Sequence, residues 1–284
     1  MRLANIIITH KNPGQLERII KRMEHPDSDF YIHLDKKIDM KGFEYLGQMD
    51  SVYFIKNRFV CNWGGYSTLE AMVGSLKEVL DNETEYGFYN LMSAQDYPIK
   101  TNEEIHEFFL SNAKKSFIFY ENDPTGKWWS EAVYRFKRYH LTDFNFMGKS
   151  FLEKMLNKIL PERIFPIQGE LYGGSKASWW SLNTAVATYL TDVFSAQKEL
   201  NKFLRFCWGT DEFVIPTILM NSPLKDNIVN NNLRYIEFPD RLANPKILDL
   251  EDFDKMMDSN MLFARKFDLD KSLEVLNKID QYLD

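Results

Sequence analysis

The chain predicts an α/β fold built on a mostly parallel central sheet flanked by helices. Three observations carry that reading. Short runs rich in β-branched and aromatic residues alternate with stretches of helical spacing through residues 1–120. The first run, Leu3–Thr9, is almost continuously apolar, as a strand buried on both faces must be. Polar clusters then follow the runs, at His33-Leu34-Asp35 and Ser93–Tyr97. Sheets of this kind bind ligands beyond the carboxyl ends of their strands.

The elements follow in order. Asn12-Pro13-Gly14 ends the first strand, and Gln15–Met23 has helical spacing. Asp29–Leu34 and Val52–Ile55 read as the next strands. Ser67–Leu80 is an amphipathic helix with Leu69, Met72, Val73, Leu76, Val79 and Leu80 on one side. Tyr86–Met92 is a strand. Thr101 then caps a helix reaching Leu110, with Glu104 completing a capping box. Ser116–Tyr120 is a further strand. Residues 121–170 are less regular and hold Trp128-Trp129 and the basic–aromatic run Tyr134–His140. That run suits a solvated face, or a contact for an anionic glycan or nucleic acid; the acidic whole favours the solvated face. Trp179–Leu182 is a strand, and Asn183–Phe194, Ala196–Phe206 and Asp211–Met220 are helices. Pro216 inside the last of these predicts a kink. Leu233–Phe238 reads as a strand, and Asp249–Met257 and Ser272–Leu283 as helices. No Pro/Ser-rich linker or repeat interrupts residues 1–284, so one domain is expected, with a nucleotide-binding half at 1–120 and an acceptor-binding and catalytic half at 121–284.

Composition narrows the function. A net charge of −6 argues against a general nucleic-acid binder. Two cysteines, Cys61 and Cys207, make no disulfide framework, and no run nears the roughly 20 apolar residues that span a bilayer. The expectation is a cytoplasmic protein, with peripheral contact at the inner membrane face through a basic patch left open. Aromatics make up 15%, enough to fill a core and still supply sugar-stacking platforms. The chain has no G-x-G-x-x-G, Walker A, His-Glu-x-x-His or G-x-S-x-G motif. Its histidines (His10, His25, His33, His106, His140) lack metal-ligand spacing.

The positive signals lie near the C-terminus. Gly209-Thr210-Asp211-Glu212-Phe213 puts two carboxylates at a predicted helix start, with Thr210 as its cap. Acids there complement the helix dipole, and an ionised one can also serve as a general base. Arg265-Lys266 follows a second predicted helix. It suits a solvated pair, or a clamp that neutralises a diphosphate leaving group without a metal. A base and such a clamp are the minimum for moving a sugar from a nucleotide to a hydroxyl. Asp268-Leu269-Asp270 is a literal Asp-x-Asp, but its place before the last helix is better explained by capping than by a metal.

Further pieces appear in a fixed order. They are Ile32-His33-Leu34-Asp35-Lys36, Trp63-Gly64-Gly65-Tyr66-Ser67, and the stretch from Ser93-Ala94-Gln95-Asp96-Tyr97-Pro98 to Asn102. Then come Gly173-Gly174-Ser175, Trp179-Trp180-Ser181-Leu182, Asp211-Glu212, Asn221-Ser222-Pro223, Asn230-Asn231-Asn232-Leu233-Arg234 and Phe263-Ala264-Arg265-Lys266-Phe267. With these motifs the chain resembles glycosyltransferase family 14, the core-2/I-branching β-1,6-N-acetylglucosaminyltransferases and peptide O-xylosyltransferases. The resemblance runs nearly end to end.

It implies a GT-A-type, Rossmann-like fold and an inverting, metal-independent transfer from a UDP-sugar, as co-substrate, to a glycan or glycolipid hydroxyl. By the same resemblance, Glu212 matches the general base, and Arg265 and Lys266 match the diphosphate clamp. His33 and Asp35 fall at the uridine end. Asp96, Ser175, Trp179, Trp180 and Asp211 fall on the acceptor side. A second basic residue expected upstream of the clamp has no clean match; Arg241 and Lys246 are both near. The animal enzymes carry an anchor, a stem and many disulfides that these residues do not show, so the expectation is a bacterial-type catalytic domain. Two rivals stand beside this reading: a metal-dependent transferase using Asp268 and Asp270, or Asp35, and a glycan-binding protein without turnover.

Overall fold

The computed structural model describes residues 1–123, 125–239 and 244–284, with the side chains of Lys127 and Glu131 left aside. Its strands are β1 (Leu3–Thr9), β2 (Ser28–Leu34), β3 (Val52–Phe54), β4 (Phe88–Ser93), β5 (Asp96–Pro98), β6 (Ser116–Ile118), β7 (Trp180–Asn183), β8 (Ile228–Asn230), β9 (Arg234–Ile236) and β10 (Phe263–Arg265). The helices of the first half are α1 (Pro13–Arg22), α2 (Tyr66–Leu80), α3 (Asn102–Ser111), α4 (Lys127–Ala132) and α5 (Tyr134–Lys137). Those of the second half are α6 (Lys149–Ile159), α7 (Thr184–Ala196), α8 (Lys198–Leu204), α9 (Val214–Met220), α10 (Phe253–Met257) and α11 (Leu269–Leu283).

A seven-stranded sheet runs in the order β3-β2-β1-β4-β7-β6-β8, with β7 alone antiparallel to its neighbours. The expected α/β fold with a mostly parallel sheet is therefore present. Its central strands are apolar on both faces because both faces are covered. On β1, Leu3 and Ile7 join one apolar cluster with Leu16 and Ile19 of α1, Phe109 of α3 and Leu276 of α11. Ala4 and Ile6 point the other way, into a cluster with Leu69 and Leu76 of α2 and Leu190 of α7. Each fully buried Leu, Ile or Phe contributes roughly 1.5–3 kcal/mol relative to exposure.

A second sheet, β5-β10-β9, leans on the first. Buried Arg234 of β9 joins them. Its guanidinium donates to Asn90 Oδ1 at 2.6 Å and Leu91 O at 2.7 Å on β4, and to Ser181 Oγ at 3.3 Å on β7. Asn90 in turn donates to Asn5 on β1 at 3.0 Å. Partners of this kind offset most of the cost of burying the guanidinium, although its Nε is left without one.

Most elements lie within a few residues of the sequence expectation, and the Thr101–Glu104 capping box is present. The expected helix Asp211–Met220 is not one helix. Thr210–Glu212 forms a 3₁₀ turn and α9 starts only at Val214. Gly209, with φ of +62°, precedes the turn, and the Thr210 hydroxyl is buried without a partner, so Thr210 is not a cap. Pro216 consequently falls in the first turn of α9, where its missing N–H is not needed and no kink is required.

Candidate active site

Strands β1, β2 and β4 run parallel, and the order of the sheet reverses between β1 and β4. The crevice beyond their carboxyl ends is where such sheets take ligands. His10 and Lys11 follow β1, Asp35 follows β2, and Ala94 and Gln95 follow β4. Buried Gln15 of α1 stitches the C-terminal segment onto this crevice. It donates to Ala94 O at 2.7 Å and Phe267 O at 3.1 Å, and accepts from Leu269 N–H at 2.9 Å. Lys266 is thereby brought to the crevice. Burial lowers its pKa, and the nearby charges of Arg265 and Lys11 lower it further. Three cations thus converge, and Lys11 is one that sequence reasoning passed over. Lys11 meets Asp268 at 2.9 Å.

Arg265 ends β10, opposite Asp96 of β5. Its guanidinium lies 3.4 Å from Asp96 Oδ1 and 4.4 Å over the Trp179 ring. Burial depresses its pKa, while Asp96 and then Asp211 hold the charged form. Its Nε is buried with no hydrogen-bond partner, and its Nη1 faces Asp96 Oδ1 beyond good hydrogen-bond geometry. The cation is thus held in place by packing and by its counter-ion.

Across from it stands a different wall. Arg135 of α5 is sandwiched between Trp128, at 5.1 Å, and Trp208, at 4.6 Å. It donates to Glu212 Oε2 at 2.6 Å, and the two side chains are only 12% and 24% exposed. Burial raises the Glu212 pKa; Arg135 opposes that rise and neighbouring Asp211 adds to it. Asp211 accepts from Ser178 Oγ at 2.7 Å. Gly174 N–H donates to Glu212 O at 2.9 Å, fixing the turn to the 173–179 loop. Gly64 and Gly209 let the opposing loops touch, with Gly209 N–H donating to Gly64 O at 2.7 Å. Both have positive φ, and a Cβ at Gly64 would lie 2.3 Å from Trp208 Nε1. Trp63, 69% exposed, meets Trp208 edge-on at 5.3 Å and forms an open aromatic surface at the mouth.

The structure sorts the predicted residues. It brings Arg265, Trp179, Asp211 and Glu212 together, with Lys266 at the crevice. Ser175 is exposed on the 173–179 loop. Asp96 is fully buried, takes Ser93 N–H at 2.8 Å and serves as the counter-ion of Arg265, so as placed it does not face an acceptor. Trp180, the first residue of β7, is also fully buried in the core, while Trp179 on the loop before it is half-buried and packs beside the same cluster. His33 is fully buried. Its Nε2 accepts from Phe59 N–H at 2.9 Å, and burial pushes its pKa down to about 4, so the neutral ring props the 59–61 loop. Asp35 accepts from Lys37 N–H at 2.9 Å. Lys246 is engaged by Asp252 at 2.8 Å, and Arg241 lies outside the described residues.

The largest surprise is Arg135. The run Tyr134–His140 reads as a solvated face, yet Arg135 points into the site. The interleaving of basic and aromatic residues was the usable signal, since stacked guanidinium groups need aromatic partners. The histidines also differ from expectation. His25 and His106 stack at 3.7 Å with Asp27 beside them. That cluster precedes β2 and sits at the opposite end of the sheet from the crevice. Sequence spacing could not show it, because only the parallel sheet and α3 bring the two rings together.

A family model for the Core-2/I-Branching enzyme matches residues 3–257. The chain belongs to that family. Its relatives include xylosyltransferase 2 of Rattus norvegicus, 27% identical over 313 aligned positions that cover all of this chain and 34% of the rat protein. Xylosyltransferase 1 of Homo sapiens is also 27% identical, over all of this chain and 30% of the human protein. The chain thus spans about a third of the length of the curated relatives it matches. Among solved structures, the WbbM bifunctional glycosyltransferase aligns with 93% of this chain and 45% of its own, at a TM-score of 0.42 and 13% identity. Mouse xyloside xylosyltransferase 1 aligns with 80% of this chain and 84% of its own, at 0.37 and 10%. These structural similarities are too low to place any residue.

Proposed function

We propose that residues 1–284 form one GT-A-type catalytic unit that transfers a sugar, xylose or N-acetylglucosamine, from a UDP-sugar to a glycan or glycolipid hydroxyl with inversion. The observation that carries this reading is the shared site of Arg265 and the Asp211–Glu212 turn. Asp211 is close enough to Arg265 to favour its charged form, and Glu212 is the next residue. The acceptor hydroxyl gives its proton to Glu212 as it attacks the anomeric carbon. The bond from that carbon to the β-phosphate oxygen breaks, and Arg265 and Lys266 take up the charge left on UDP. A raised Glu212 pKa makes it a better base than an exposed carboxylate, and Arg135 keeps it ionised enough to act. The Trp63–Trp208 surface is suited to stack a sugar ring of the acceptor.

The metal-free reading rests on the use the acids are already put to. Asp268 caps α11, accepting from Asp270 N–H at 3.3 Å, and pairs with Lys11. Fixed cations can do the electrostatic work of a divalent ion at the same position. Thermal shifts with UDP, UDP-xylose and UDP-N-acetylglucosamine, followed by NMR of the product's anomeric proton, test the proposal. Binding of one UDP-sugar and an inverted product in the presence of chelator are expected. A retained anomeric configuration, or turnover restored only by manganese, would overturn it.

A further inference from the structure

Helix α6 exposes much of its apolar surface. Its side toward the protein carries two polar residues beside the half-buried Leu152 and Leu156: Asn157 exchanges hydrogen bonds with the backbone of Tyr139 at 2.8 and 2.7 Å, and Glu153 accepts from Leu141 N–H at 2.8 Å. Three of its large apolar residues face water. Phe151 is 74% exposed and Ile159 70%, with Met155 between them at 39%. Positions 151, 155 and 159 repeat every four residues, so they form one ridge along a helix about 16 Å long. Met147, just before the helix, and Ile164, just after it, extend the same apolar exposure. Lys154 and Lys158 flank the ridge, and both are exposed. Between residues 137 and 164 there are six Lys or Arg and three Asp or Glu, in a chain whose net charge is −6.

Such a ridge is costly in water, because soluble surfaces rarely gather so many large apolar side chains in one place. The cations bordering it decide what covers it. We infer that α6 and its flanks are a monolayer-contacting surface: the ridge enters the acyl boundary of an anionic bilayer while Lys154 and Lys158 meet its headgroups. A helix lying in the interface with an apolar side inward and lysines at the headgroup level is the physical form of that contact. Among the described residues no helix is long and apolar enough to cross a membrane, so the contact lies on the surface.

The surface is tied to the candidate site. Asp143, a few residues before α6, accepts from Ser67 N–H at 2.9 Å, Ser67 Oγ at 2.5 Å and Asn62 at 3.1 Å, on either side of Trp63-Gly64-Gly65. At the other end Arg163 is clamped 3.7 Å over Phe203 and donates to Phe206 O at 2.7 Å, just before Trp208. Docking through α6 therefore sets the aromatic mouth beside the headgroups, where a lipid-borne acceptor would stand.

Vesicle co-sedimentation tests this without reference to the transfer chemistry. The protein is expected to sediment with vesicles of phosphatidylglycerol in phosphatidylcholine, less with phosphatidylcholine alone, and to be released by salt. The double substitution Phe151→Ser with Ile159→Ser should weaken binding by at least about tenfold, the effect of removing two large apolar groups from the boundary. Lys154→Glu with Lys158→Glu should abolish the preference for phosphatidylglycerol. Both variants alter exposed side chains, so circular dichroism and the UDP thermal shift should match the wild-type protein. Wild-type protein that stays in the supernatant, or a serine variant that sediments equally well, overturns the inference. So does a wild-type dimer that the serine variant splits while neither form binds vesicles.

Discussion

The two walls of the candidate site solve opposite problems. The wall made by β5, β10 and the 173–179 loop holds its charge dry: Arg265 is 8% exposed, Asp96 is fully buried, and Arg234 is buried behind them. The wall made by α4, α5 and the 209–212 turn holds its charge between aromatic faces, with Glu212 still a quarter open to solvent. A buried cation fixed in sheet backbone suits a group of constant charge that must always be met in the same place. A carboxylate on a short turn, held by an arginine stacked between two indoles, suits a proton that must come and go. The difference teaches that one wall is rigid by desolvation and the other is tunable by its ion pair.

Four changes break or sharpen that contrast. The largest effect is expected from Glu212→Gln, which keeps the shape and removes the proton acceptor. Turnover should fall by ~10²–10⁴-fold, while the thermal shift with UDP stays at the wild-type value. Normal turnover would move the base elsewhere.

Next comes Arg265→Ala, which strands Asp96 in the interior. Urea unfolding should show a loss of about 3–5 kcal/mol, as when one partner of a buried ion pair is removed. Arg265→Lys should recover part of the stability but not UDP binding, because a lysine cannot both stack on Trp179 and keep the forked donors. If Arg265→Lys binds UDP normally, the guanidinium geometry is not used.

A smaller effect belongs to Arg135. It lowers the Glu212 pKa against the rise caused by burial. Removing it in Arg135→Ala lets that pKa climb, so the ionised base is lost at a higher pH as the solution is acidified. The acid limb of the kcat/KM profile should therefore move toward alkaline pH, and Arg135→Lys should move it less. An unmoved limb would separate Arg135 from the base.

Trp63→Ala is the mildest. An exposed residue of this kind changes stability by less than about 0.5 kcal/mol. Loss of one stacking face should raise the acceptor KM several-fold and leave the donor KM alone. A rise in the donor KM instead would place Trp63 on the wrong wall.

Much of this was legible in the chain. The apolar run of β1, the spacing of α2 and the capping box of α3 state their structures locally, because burial on both faces, a 3.6-residue period and a side-chain cap each leave a pattern within a few residues. The catalytic candidates Glu212, Arg265 and Lys266 were legible through their motifs. Direction was less so. Trp179 and Trp180 are adjacent in sequence, yet Trp180 is fully buried and Trp179 keeps a face for Arg265, and no local pattern tells which is which.

What the sequence settled alone was the class of the sheet, most of its strands and the identity of the groups able to carry charge. What the tertiary structure decided was who meets whom. Asp96 became a counter-ion because β5 pairs with β10 across more than 160 residues of chain. Arg135 became Glu212's partner because two loops cross at Gly64 and Gly209. His25 met His106 only when α3 packed beside the start of β2. Local patterns record how a segment folds against its own neighbours, whereas a site is made of contacts whose two halves lie far apart along the chain, and no short stretch of sequence holds both.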